Sequence, residues 1–113
     1  MKYKTEREFH KDFLLKEGDY RSIREMLGRI NRMIPQKVLL AELDAGNNMV
    51  EYTAQNIYNE VMALGEGLVA EGLKGAHIAI VSENCCRYVI ADISISSGVG
   101  VVVPVDVNSP DNL

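Results

Sequence analysis

The chain has 113 residues, 47% of them hydrophobic and 25% charged, with a formal net charge of -4 at pH 7 and no tryptophan. That length allows one domain with a shallow core, and the acidic balance argues against a nucleic-acid partner, which needs a basic face. No apolar run reaches the roughly 18 residues of a membrane span, and the opening MKYKTEREF lacks the apolar stretch of a signal peptide, so the expected location is the cytoplasm.

Residues 1–20, MKYKTEREFHKDFLLKEGDY, read as a charged N-terminal extension with three apolar anchors, Phe9, Phe13 and Leu14. Their i, i+4 spacing suits a short helix or a segment lying over a larger surface. In YRSIREMLGRINRMIP, Ser22 is placed to cap a helix, Glu25 to complete a capping box, and Pro35 to stop it. Ile23, Met26, Leu27, Ile30 and Ile34 form its apolar stripe. Arg24, Arg29 and Arg32 mostly face away; an anion site is one reading of them and a solvated outer face the other.

Two β-prone stretches, Val38 to Leu43 and Met49 to Tyr52, flank DAGNN, whose Gly and Asn tolerate the positive φ of a tight turn, and so predict a hairpin. Thr53 then caps a long amphipathic helix with Ile57, Val61, Leu64 and Leu68 on one face. Gly65 and Gly67 inside it each cost about 1 kcal/mol against Ala, which points to close backbone packing against a neighbour. Gly72 is placed to end the helix in the left-handed conformation.

HIAIVS (77–82) and VGVVVPV (99–105) read as strands covered on both faces. The intervening ENCCRYVIADISISSG is too long for a hairpin. Its β-branched residues disfavour helix and ISIS alternates like a strand, but two buried strands in succession favour a parallel pair with a helical crossover. The expectation is therefore a helix burying Cys86, Val89, Ile90, Ile93 and Ser97. Pro104, lacking an N–H, belongs at a strand end or an edge.

The chemical inventory is short. There is no GxGxxG after a strand and no GxxxxGK[ST]. His10 and His77 stand apart from other metal-ligating residues; His77 reads as a structural histidine opening a buried strand. Cys85 and Cys86 read as two small thiols, partly buried, in a reducing compartment. Ser94, Ser96 and Ser97 fit close packing on the crossover. Asp106 lies past the last strand, where α/β sheets place ligands, but a turn-forming Asp is the favoured reading of it. Asn84 is placed to cap the crossover helix, whose free N–H groups could also receive an anion. No catalytic, cofactor-binding or metal-binding residue is assigned.

From Val50 to Leu113 the sequence resembles the N-terminal part of the AMP-forming acyl-CoA synthetases, the adenylate-forming ligase superfamily. Glu51-Tyr52-Thr53 corresponds to the family's strand-to-helix entry and Gly72-Leu73-Lys74-Gly75 to its GLxKG turn. Ile78-Ala79-Ile80 corresponds to its first buried strand, Asn84 to its Asn, and Gly98 to Asp106 to its AGAxxVPLD strand. SIREMLGRINRMIPQKVLLAE fits the usual lead-in. Departures fall at Ala76, at Cys85-Cys86 and at Val107. The tail looks most like that of bacterial long-chain fatty acid–CoA ligases.

The resemblance implies an α/β fold, part of the N-terminal domain of an adenylate-forming ligase, with a β-hairpin, a long amphipathic helix and a parallel βαβ unit. It makes residues 21–113 the N-terminal portion of an AMP-binding domain, truncated. It also implies that the family's phosphate loop, ribose-binding Asp and catalytic Lys follow the end of this sequence. ATP, Mg2+ and CoA would then serve a longer parent, and the chain alone would be inactive. The expected partners are the remainder of that ligase and, through an exposed sheet edge at VGVVV, a second copy. Two alternatives are a stand-alone α/β binding module and a small enzyme holding a nucleotide-like ligand at the ends of strands 77–82 and 99–105.

Overall fold

The computed structural model describes residues 18–108; the apolar anchors of the extension, and His10, lie outside them. The first helix, α1 (Ile23–Met33), is capped by Ser22, whose Oγ accepts from the Glu25 N–H at 3.1 Å. Glu25 reaches back to the Arg21 N–H at 3.2 Å, one residue earlier than a capping box requires. Only Leu27 of the expected stripe is buried; Ile23, at the helix start, is exposed.

β1 (Val38–Leu43) and β2 (Met49–Thr53) form the expected antiparallel hairpin, irregular between Val38 and Leu40. Asp44 builds its turn: Oδ1 accepts from the Gly46 and Asn48 N–H groups at 2.8 and 2.9 Å, and Asn47 takes the positive φ, 61°. The bond from the Asn48 N–H chiefly holds the Asp44 carboxyl below its ordinary value, against desolvation, with lesser help from the Gly46 N–H and the Asn48 side chain.

α2 (Ala54–Ala70) begins with a complete capping box: Thr53 Oγ1 accepts from the Asn56 N–H and Asn56 Oδ1 from the Thr53 N–H, both at 3.1 Å. It ends in a Schellman motif. The Leu73 N–H reaches Leu68 O, the Gly72 N–H reaches Val69 O, and Gly72 sits at φ +82°. Ile57 and Val61 are buried as expected, but Leu64 is exposed. Of the two internal glycines, Gly65 faces Ser94 Oγ at 3.4 Å from where a Cβ would stand, whereas Gly67 faces open space.

β3 (His77–Val81), α3 (Cys86–Ser94) and β4 (Val101–Val105) make the parallel βαβ unit. The crossover is a helix in spite of its β-branched residues, because packing of Ile90, Ser94 and Ile95 outweighs their weak propensity. α3 widens over Ile95–Val99 into a turn closed by the Gly100 N–H to Ile95 O at 3.0 Å, with Gly98 at φ +131°. Ser94 and Ile95 thus join the expected buried face, while Val89, Ile93 and Ser97 are only partly buried. Pro104 lies within β4 opposite Ile80. Val101 donates to Ala76 O on the β3 side, so strand alternation turns position 104 toward the open edge, where no donor is needed.

The core gathers Leu27, Ile57, Val61 and Ile90 from the three helices, ringed by Leu40 and Tyr52 of the hairpin and by Tyr58, Met62 and Ile93. The reading of β3 and β4 as covered on both faces is corrected. Ile78, Ile80 and Val102 are partly buried, but His77, Ala79, Val81, Val101 and Val103 are exposed. An apolar composition shows what a strand was built to contact; the second covering layer is not among the described residues.

Candidate functional site

The carboxyl ends of β3 and β4 open into a polar cleft of about 410 Å3, lined by Ser82, Glu83, Asn84, Tyr88, Asp106 and Asn108 among others. This is the position at which open α/β sheets bind ligands, and it brings together two sequence-predicted residues, Asn84 and Asp106. Each strand ends in a turn that fixes part of the lining. Asp106 Oδ1 accepts from the Asn108 N–H at 2.9 Å, so it does form a turn. Ser82 Oγ donates to Glu83 O at 2.8 Å and lies 3.9 Å from Cys85 Sγ.

Asn84 does not cap α3. Cys85 occupies the cap position with no side-chain bond, and the first free donor of the helix, the Cys86 N–H, is taken by Glu42 Oε2 of β1 at 3.1 Å. A carboxylate suits the positive end of a helix. Glu42 therefore fills the place considered above for an external anion, and ties the hairpin to the βαβ unit across 44 positions of sequence. Burial, then the charge of Glu42, pushes the Cys86 thiol up, which keeps it protonated and a poor nucleophile.

Other candidates do not converge on the cleft. His77 is exposed at the start of β3, the opposite end of the strand, rather than buried. Ser94 Oγ donates to Val61 O at 2.8 Å, Ser97 Oγ to Ile93 O, and Ser96 Oγ to Asp92 Oδ1 at 3.2 Å, so the three serines join helix to helix or turn to turn. Arg29 contacts Asp19, with Nη1 3.5 Å from its carbonyl oxygen and Nη2 4.0 Å from Oδ2, while Arg24 lines a different groove. Among the described residues no group of three or more His, Cys, Asp or Glu is placed to hold a metal, and no helix is long and apolar enough to cross a membrane.

The cleft offers hydrogen bonds and the carboxylates Glu83 and Asp106, without a nucleophile paired to a base. Sequence reasoning missed Glu42 and Tyr88. For Glu42 a signal existed: it shares the inward face of β1 with Leu40, where a carboxylate needs a partner.

No protein-family model and no curated protein sequence matches the chain. Solved structures do. IdnL1 superposes with a TM-score of 0.72 at 21% identity, over 86% of this chain and 20% of that one. The N-terminal subdomain of NpsA from Klebsiella oxytoca, with 3-hydroxyanthranilyl-AMSN, gives 0.68 at 21% identity over 82% of this chain and 23% of that one. A protein assigned as a long-chain-fatty-acid CoA ligase from Rhodopseudomonas palustris gives 0.70 at 18% identity, over 81% and 22%. At these identities the likeness is one of fold. The α/β arrangement of hairpin, helices and parallel β3–β4 pair is shared with the matched part of these structures. The chain spans about a fifth of the length of the proteins it matches.

Proposed function

We propose that this chain is the N-terminal scaffold of an acid-activating enzyme that joins a carboxylic acid to ATP as an acyl-adenylate. The carrying observation is the likeness of fold to about a fifth of each of the matched structures, in a chain whose parallel strands are bare on one face. Val81 is 62%, Val101 53% and Val103 39% exposed there. The remainder of the parent enzyme is the partner that covers this face, and ATP with Mg2+ is its co-substrate.

In the finer form of the proposal the acid is a fatty acid and the acyl group passes on to CoA. The tail from Gly98 to Leu113 and the likeness to the Rhodopseudomonas protein support that form. The likeness to NpsA, which holds 3-hydroxyanthranilyl-AMSN, supports an aromatic acid instead. In the absence of the covering layer, a second copy of the chain is expected to pair along the open edge of β4.

ATP–pyrophosphate exchange tests the proposal, run on the native gene product with a panel of fatty and aromatic carboxylic acids. Exchange stimulated by fatty acids is expected. Exchange with aromatic acids alone overturns the fatty-acid form, and no exchange with any acid overturns adenylation. The 113-residue chain by itself is expected to give none.

A further inference from the structure

A groove of about 390 Å3 lies away from the cleft, between α1, α2 and the wide turn after α3, a size at which proteins hold small molecules. Met62, Val69 and Ala70 line it from α2, which gives it a length of roughly 12 Å at the rise of a helix. Val61 and Val99, 2% and 6% exposed, form its inner wall, and Val69, 43% exposed, stands at its rim. Gly65 keeps the space between them open, since a Cβ there would stand 3.6 Å from the Val99 side chain.

Three charged side chains border this apolar trough: Arg24, Lys74 and Glu66. None of them is ion-paired or hydrogen-bonded through its side chain among the described residues, so the groove carries one positive charge in excess. The other polar side chains are already committed. Ser94 Oγ donates to Val61 O and Ser97 Oγ to Ile93 O, which leaves the side-chain donors of Arg24 and Lys74 for a ligand. Lys74 follows the carboxyl end of α2, where the helix dipole favours a cation. Arg24 has no such local reason for its charge: it lies in the first turn of α1, where the dipole disfavours one.

We propose that this groove binds one monoanionic amphiphile, a carboxylate with an unbranched apolar body. The body lies along α2 between Met62 and Ala70, and the cations at the border hold the carboxylate. Met62 suits a flexible apolar chain, because its thioether adapts to irregular surfaces. The charges set the class of ligand. A neutral body leaves the excess positive charge unmatched, a cation is repelled by it, and a dianion adds a second negative charge that Glu66 opposes. The site is separate from the polar cleft and does not rest on the adenylation reading.

The test follows the methionine methyl groups by NMR in the isotopically labelled native gene product, with decanoate as the probe. The Met62 signal is assigned by its loss in Met62→Leu; Met33 and Met49, exposed and outside the groove, report adsorption to the surface. Decanoate is expected to shift Met62 saturably, leave Met33 and Met49 unchanged, and bind more tightly than decanol, decyltrimethylammonium or decanedioate. Arg24→Gln should weaken decanoate about threefold and Glu66→Gln should tighten it about threefold, the opposite signs expected of charges at an exposed border. No saturable shift of Met62, a joint shift of Met33 and Met49, or a counterpart that binds as tightly as decanoate overturns the proposal. So does unchanged affinity in Glu66→Gln, an exposed substitution that leaves the core intact. These readouts need no activity, so their failure and a failure of pyrophosphate exchange are distinguishable.

Discussion

Two regions of this molecule are equally apolar in sequence and opposite in fate. Ile57 and Val61 of α2 are 3% and 2% exposed, packed against Leu27 and Ile90, whereas Val101 and Val103 of β4 stand open to solvent. The difference is not in the residues. A helix needs one covered stripe, and α1, the hairpin and α3 supply it. A parallel sheet needs two covering layers, and the described chain supplies one. Burial of a valine is worth about 1.5–3 kcal/mol, so the outer face of β3 and β4 holds unrealised stability that a covering layer would recover.

Gly100 stands where the two regions join, and the largest effect is expected there. A Cβ at this position would overlap the Ala76 carbonyl oxygen, which itself accepts the first ladder bond from Val101. Backbone cannot rotate away as a side chain does, so Gly100→Ala should cost about 3 kcal/mol or more in urea unfolding. A fully stable variant would show that β4 is not locked to β3 at its start. Ile90→Ala, on the covered side, should cost about 3 kcal/mol through the cavity it leaves.

Glu42→Gln removes the charge, but not the hydrogen-bonding capacity, at the start of α3, and should cost roughly 0.5–1 kcal/mol at low salt. Loss of that effect at high salt would identify it as the charge–dipole contribution. Asp44→Asn tests the hairpin turn through pH. The folded carboxyl titrates below its unfolded value, so its contribution is present above the unfolded pKa and disappears as pH falls through the folded one. The variant should therefore lose less stability than the parent chain between about pH 5 and pH 3. Least of all should be the double change Val101→Ser and Val103→Ser. On the bare face it should shift the stability of the 113-residue chain by no more than about 0.5 kcal/mol, while reducing self-association in sedimentation. A large loss of stability would mean that the face is covered after all.

Local signals were legible in the sequence because their physics is local. Ser22 and Thr53 as caps, Gly72 as the left-handed stop and the DAGNN turn each satisfy backbone groups within a few residues. The parallel βαβ unit could also be read, from two apolar runs separated by enough chain for a crossover. At the cleft, Asp106 could be placed by the same reasoning, since it bonds only two residues ahead.

What spans the molecule was decided by the tertiary structure alone. The cap of α3 passed from Asn84 to Glu42, 44 residues from its partner, because β1 brings a carboxylate to a helix end that had no side chain of its own to accept the bond. His77 moved from the interior to the surface, and Gly67, unlike Gly65, proved to have no neighbour. The sequence by itself determined the caps of α1 and α2, the turns and the segments whose propensity agrees with their fold, since these signals act over one or two turns of chain. By contrast, α3 is a helix against its local propensity because packing of Ile90, Ser94 and Ile95 outweighs it. Which apolar faces are buried was decided only in three dimensions, because burial is a property of two surfaces and the sequence of one strand carries only the first.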